Sequence, residues 1–136
     1  MKKKLLGLVL GVVTAASSAW AHHAFAAEFD VTKPLTLKGK VTKMEWINPH
    51  SWIHIAVVDE KTGVTNNWMI ECGPPNGLLR RGFTKESLPK GTEILVTGWQ
   101  AKDDSFRANG SNITLPDGKK IFLGSSNQGA EGAEKQ

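Results

Sequence analysis

Cysteine is almost missing from this chain, with Cys72 the single one in 136 residues. One thiol closes no internal disulfide in any redox compartment, so the folded part must be held by its core. Nor does Cys72 stand at a leader cleavage point, where a lipid anchor would have to be attached. Long apolar runs are equally scarce. Residues 5–16 form one, broken by Gly7, Gly11 and Thr14, and it is shorter than the roughly 20 residues that span a bilayer. An excess of charge is lacking too: the formal net charge of +4 falls by the three lysines Lys2, Lys3 and Lys4 to +1 once the N-terminus is set aside. A near-balanced surface excludes DNA and RNA as electrostatically recognised partners, because phosphate backbones demand concentrated positive charge. Acidic membrane surfaces are disfavoured on the same ground. No glycine elbow surrounds a serine, and no catalytic motif stands out.

What is present begins with a leader. Lys2 to Lys4 supply a positive start, residues 5–16 an apolar stretch, and Ala19-Trp20-Ala21 a small-x-small cleavage site, which together make a secretory signal peptide cut after Ala21. The expected product is a soluble periplasmic or secreted chain beginning at His22, with no membrane insertion after cleavage. Cleavage after Ala26 is the alternative, and it would discard His22 and His23. The expected organisation is a signal over 1–21, one domain over 22–124, and a tail over 125–136 that has no large apolar residue and is expected to be disordered. Domains of about 55 to 65 residues already fold unaided, so the mature length is ample for a core.

The domain reads as strands. Residues 22–30 are a lead-in with Phe25 and Phe29 four apart, suited to a helical turn or an extended arm, and Pro34 ends it. Leu35, Leu37, Gly39 and Val41 alternate with polar residues, the period of a half-buried strand, and Gly39 marks a bend or bulge. Asn48-Pro49 interrupts. A second strand over 52–59 puts Ile53, Ile55 and Val57 on one face and Trp52, His54, Ala56 and Val58 on the other. Residues 59–63 turn the chain into a third strand over 64–72. After the Gly73-Pro74-Pro75 punctuation, 78–88 reads as a short helix or two helical turns around Gly82. Strands over 93–100, 106–115 and 119–123 complete the count. An all-β fold with one short helix and five to six strands in this order predicts a small OB-like β-barrel, whose closure also protects strand edges. An open sandwich of the same strands is the alternative.

Several stretches carry a resemblance. HHAF behind the leader, INPHSW, WMIECGPPNGLLRRG, GTEILVTGWQAKD and NITLPDGKKIFLG are together similar to a family of small exported bacterial proteins, domain of unknown function family 6152. The resemblance spans nearly the whole mature chain. It implies export and the OB-like fold, and it implies no activity.

The four histidines fall in two clusters, His22 with His23 and His50 with His54, and none follows residue 54. If His22 is the first residue of the exported chain, its α-amine and imidazole chelate one metal ion, and a third nitrogen from His50 or His54 completes a tetragonal set. That donor set suits Cu(II) by geometry and by affinity order, and it resembles the histidine brace of exported copper-binding proteins in this one device. Met44, Met69 and Cys72 are soft donors that would favour Cu(I), although methionine on a strand more often fills the core and a lone cysteine is most often buried. Met69 points away from Trp68 and Ile70, which makes it a candidate partner of His54 across the hairpin.

Two further readings use other residues. Trp46, Trp52, Trp68 and Trp99 are many indoles for a small barrel; Trp68 is expected inside, and Trp46 and Trp52 are candidates for a ligand-stacking face. A zinc hydrolase would need three protein ligands and an open position. His22, His50 and His54 would provide them, but nothing supplies a matched general base. The leading expectation is therefore an exported binding protein with a copper site at His22, His23, His50 and His54. The alternative is a metal-free module that binds a small ligand or another periplasmic protein through Trp46, Trp52 and Met69.

Overall fold

The computed structural model describes residues 25–124. Residues 1–24, with the expected signal, His22 and His23, and the expected tail over 125–136 lie outside the described residues.

After a helical turn at 25–28, the described residues run through six strands and two short helices: β1 (Phe29–Glu45), β2 (Trp52–Val58), β3 (Thr65–Glu71), α1 (Pro75–Arg80), a 3-10 turn (Lys85–Ser87), β4 (Glu93–Ala101), β5 (Arg107–Thr114) and β6 (Lys120–Phe122). The sheet order is β3-β2-β1-β4-β5-β6, and a further pairing joins β3 to β5. That last contact runs parallel over Met69 to Glu71, whereas the other pairs are antiparallel. Following the pairs round through β1, β2, β3, β5, β4 and back to β1 gives a ring of hydrogen bonds through five strands. No described helix is long and apolar enough to cross a membrane.

The length of β1 is what lets the ring form. Its first part pairs with β4 and its last part with β2, the change-over falling at Lys40, which faces Glu93 on one side and Ala56 on the other. Gly39 sits at this crossing. A Cβ there would come within 2.8 Å of the Ala56 carbonyl oxygen and 2.9 Å of the Val57 side chain, so the missing side chain is what admits β2 so closely. A register shift between Val41 and Lys43 follows at once, so the expected bend or bulge is present.

The expected alternation holds in β2: Ile53 and Ile55 are fully buried, while Trp52, His54 and Ala56 are half-buried on the other face. Ile53, Ile55, Trp68, Ile70, Ile94, Val96, Ala108 and Ile113 form the inner cluster, joined by Leu78 of α1 and by Phe83 and Leu88 beyond it. Each large aliphatic residue so buried contributes about 1.5–3 kcal/mol relative to exposure.

One expectation is corrected and two open alternatives resolve. The strand begins at Phe29, six residues before Leu35, and contains Pro34; proline is accommodated because the pairing with β4 is irregular between Phe29 and Pro34. The lead-in is a helical turn at 25–28 that runs straight into that strand. Of the two readings of 78–88, two helical turns around Gly82 is the one found, as separate pieces over Pro75–Arg80 and Lys85–Ser87, so the fold has two short helices and not one. The first starts at Pro75, since a proline loses nothing in the first turn, and Gly82 at φ 74° stops it.

Candidate functional site

The outward faces of β1, β2, β3, β5 and β4 form a grid fixed by register. One row runs Glu45, Trp52, Glu71, Asn109 and Trp99; the next runs Lys43, His54, Met69 and Arg107. Neighbours along a row stand roughly 4.8 Å apart, one strand spacing. His54 and Met69 are thus direct cross-strand partners on one face, as the hairpin suggested.

His50 joins this face from the loop before β2. The β2–β3 ladder continues past Trp52: the amide of Cys72 donates to the Ser51 carbonyl at 2.8 Å and that of Ser51 to the Gly73 carbonyl at 3.2 Å. Alternation along this extension turns Ser51 inward, where it is fully buried, and turns His50 outward. The His50 Nδ1 then lies 2.9 Å from Glu71 Oε1. That is an ion-pair distance, and the His50 side chain is 36% exposed. A carboxylate this close to an imidazole favours one tautomer when the two are hydrogen-bonded.

Glu71 is buried although it lies on the outer face. Burial pushes its carboxyl above the ordinary range, and the nearby Glu28 charge adds to that; His50, Arg107 and a hydrogen bond with Asn109 oppose it. The lead-in is docked beside this group. Glu28 Oε2 lies 2.6 Å from Arg107 Nη2, the Arg107 guanidinium lies 5.9 Å from the centre of the Phe29 ring, and Phe25 meets Trp99 edge to face at 5.9 Å.

His54 has a different setting. Its Nε2 is 3.4 Å from Glu45 Oε2, an ion-pair distance but too long for a good hydrogen bond, and the buried nitrogen has no hydrogen-bond partner among the described residues. Glu45 is engaged mainly by Lys43, whose hydrogen bond, with the nearby His54 imidazole second, lowers the carboxyl pKa.

The remaining candidates separate. Trp46 is part-buried against the core and 6.3 Å from the Phe83 ring, Trp68 is interior, and Trp52 lies on the outer face between Glu45 and Glu71. Met44 packs on the core. Cys72 is fully buried, and loss of solvation pushes its thiol far up, with the Glu71 charge adding to the rise. Ser51 Oγ is sealed inside without a hydrogen-bond partner among the described residues, which leaves it no access to substrate. Among the described residues no group of three or more His, Cys, Asp or Glu is placed to hold a metal ion. The residues that sequence reasoning missed are Glu28, Arg107 and Asn109. Their only signal was the β3–β5 register, which alternation does not reveal.

The sequence profile of the Family of unknown function (DUF6152) matches residues 9–111, about three quarters of the chain. The chain belongs to that family. The matched span includes all four histidines, the lead-in and Glu71, and stops within β5. No curated protein and no solved structure matches the chain.

Proposed function

We propose that this member of the family is an exported, periplasmic or secreted copper-binding protein. Its domain is an OB-like barrel, and its metal is held by the α-amine and imidazole of His22 together with His50 Nε2. The barrel reading is supported by the ring order β1-β2-β3-β5-β4 and by α1 lying between β3 and β4, the arrangement of a small Greek-key barrel. Localisation rests on the signal sequence, and on cleavage after Ala21.

The observation that carries the copper reading is the His50–Glu71 contact at 2.9 Å. It sets a part-exposed imidazole against a buried carboxylate, on the face where the lead-in is docked. From Phe25, the three residues back to His22 span at most about 10 Å, two strand spacings, which is the separation of Trp99 from Glu71 along the grid. His54 ranks behind His50 because its Nε2 already faces Glu45. His23 serves as a second donor of the same cluster, and Met69 beside His54 offers a thioether suited to Cu(I).

Intact-mass measurement of the exported protein, followed by copper titration, tests this reading. A chain starting at His22 that takes up one copper per molecule, and loses it when one residue is added before His22, supports it. A chain starting at Ala27, or copper uptake unchanged after all four histidines are replaced, contradicts it.

One observation favours a second reading, a metal-free binding face. Trp52 is flanked in register by the carboxylates of Glu45 and Glu71, a setting that suits a cationic small ligand or a basic side chain of a partner protein. Trp52→Ala would abolish such binding and leave copper uptake unchanged.

A further inference from the structure

We propose that the outward face shared by β1, β4 and β5 carries a binding site separate from the histidines: an open groove that takes a neutral, glucose-configured sugar. The sugar ring stacks on Trp99, and its hydroxyls are met by Thr36, Thr97 and Ser111.

Register builds the groove. Pro34 pairs with Trp99 and Thr36 with Thr97, while Leu35 and Gly98 pair between them. Alternation puts the first two pairs on one face. A row of two rings and a row of two hydroxyls therefore lie side by side, about 7 Å apart along the strands. Between Thr97 and Gly98 the pairing with β5 slips from Asn112 to Gly110, which leaves Ser111 as the extra residue of a bulge. A bulge re-aims a side chain, and Ser111 lines the same groove. Its volume is about 430 Å³, within the range of small-molecule sites.

The chemistry of the lining selects the ligand. None of the residues that line the groove is charged, so an ionic ligand would lose hydration there and gain no counter-charge. Among the described residues no side-chain hydrogen bond occupies the hydroxyls of Thr36 and Thr97. Ser111 Oγ accepts from Asn112 Nδ2 at 3.0 Å and keeps its own proton to donate. The Trp99 indole is braced edge to face by Phe25 at 5.9 Å, so one stacking surface is held in place. A pyranose whose hydroxyls are all equatorial offers a flat apolar face to such a ring and a rim of hydroxyls to the row beside it.

The test is an NMR titration of the isotope-labelled exported protein with cellotriose, a neutral trimer of glucose, following the Trp99 indole N–H and the amide of residue 97. Wild type should show saturable shifts at both, unchanged by added salt. Thr36→Val/Thr97→Val keeps the β-branched shape that suits a strand and should bind about tenfold more weakly, as expected for two lost hydrogen bonds, with the melting temperature kept. Trp99→Ala should abolish the shift at residue 97; if that variant does not fold, the valine pair decides alone. A wild type that shows no saturable shift overturns the proposal. So does cellotriose binding that the folded valine pair retains at full strength, or that added salt abolishes.

Discussion

His50 and Glu71 meet across the β2–β3 pair, Nδ1 to Oε1 at 2.9 Å, with the glutamate only 6% exposed. Because burial raises the Glu71 carboxyl above its ordinary value of 4.5, the folded protein binds that proton more tightly than the unfolded chain. The associated stability is complete below about pH 4.5 and is lost as pH rises through the folded pKa. Glu71→Gln keeps the shape and an acceptor for His50 but removes the buried charge. Thermal melts should show Glu71→Gln at least as stable as wild type at pH 7, with the wild-type decline as pH rises above about 4.5 flattened. A variant clearly less stable at pH 7, with an unchanged pH slope, would contradict this account of Glu71.

Cys72 should behave as a core residue. Its thiol is fully buried and its pKa is pushed well up, so neither access nor thiolate is available for reaction. A disulfide reagent at pH 8 should label the native protein only at the rate of unfolding, and the denatured protein at once. Fast native labelling would place the thiol within reach of solvent.

The alternation in β2 predicts a contrast between neighbours. Ile53→Ala empties a fully buried position and should cost about 2–5 kcal/mol. His54→Ala, on the outward face, should cost under about 1 kcal/mol, since it removes little core and relieves an unpartnered buried nitrogen. Denaturant titration of both variants decides it, and equal losses would contradict the assignment of faces.

Gly98 links the fold to the site. Any Cβ there would overlap the Asn109 carbonyl oxygen, so Gly98→Ala must push β5 away from β4 and carry Asn109 with it. A loss of several kcal/mol is expected, against almost none for alanine at the exposed neighbour Thr36. A Gly98→Ala protein as stable as wild type would show that the β4–β5 approach is looser than described.

Much of this was legible in the chain. The strands were recognisable from period-two patterning, His54 could be put opposite Ile53 and Ile55, and Met69 could be offered as a candidate cross-strand partner because it points away from Trp68 and Ile70, although the hairpin register itself was not legible. Pro34 misled, since its effect depends on whether a neighbouring strand needs its missing N–H, and that is a tertiary matter. Glu28, Arg107 and Asn109 were not legible at all. Their grouping depends on the parallel β3–β5 contact, which joins segments separated by two helices and a strand, and local pattern carries no information on such a register. Glu71 was visible only as a carboxylate on a strand; its burial follows from the same closure.

The most direct test of the copper reading is electron paramagnetic resonance of the mature protein, beginning at His22, loaded with one equivalent of Cu(II). The account predicts a single tetragonal species with nitrogen hyperfine structure that is lost in His50→Ala and kept in His54→Ala. A spectrum unchanged by His50→Ala would contradict it.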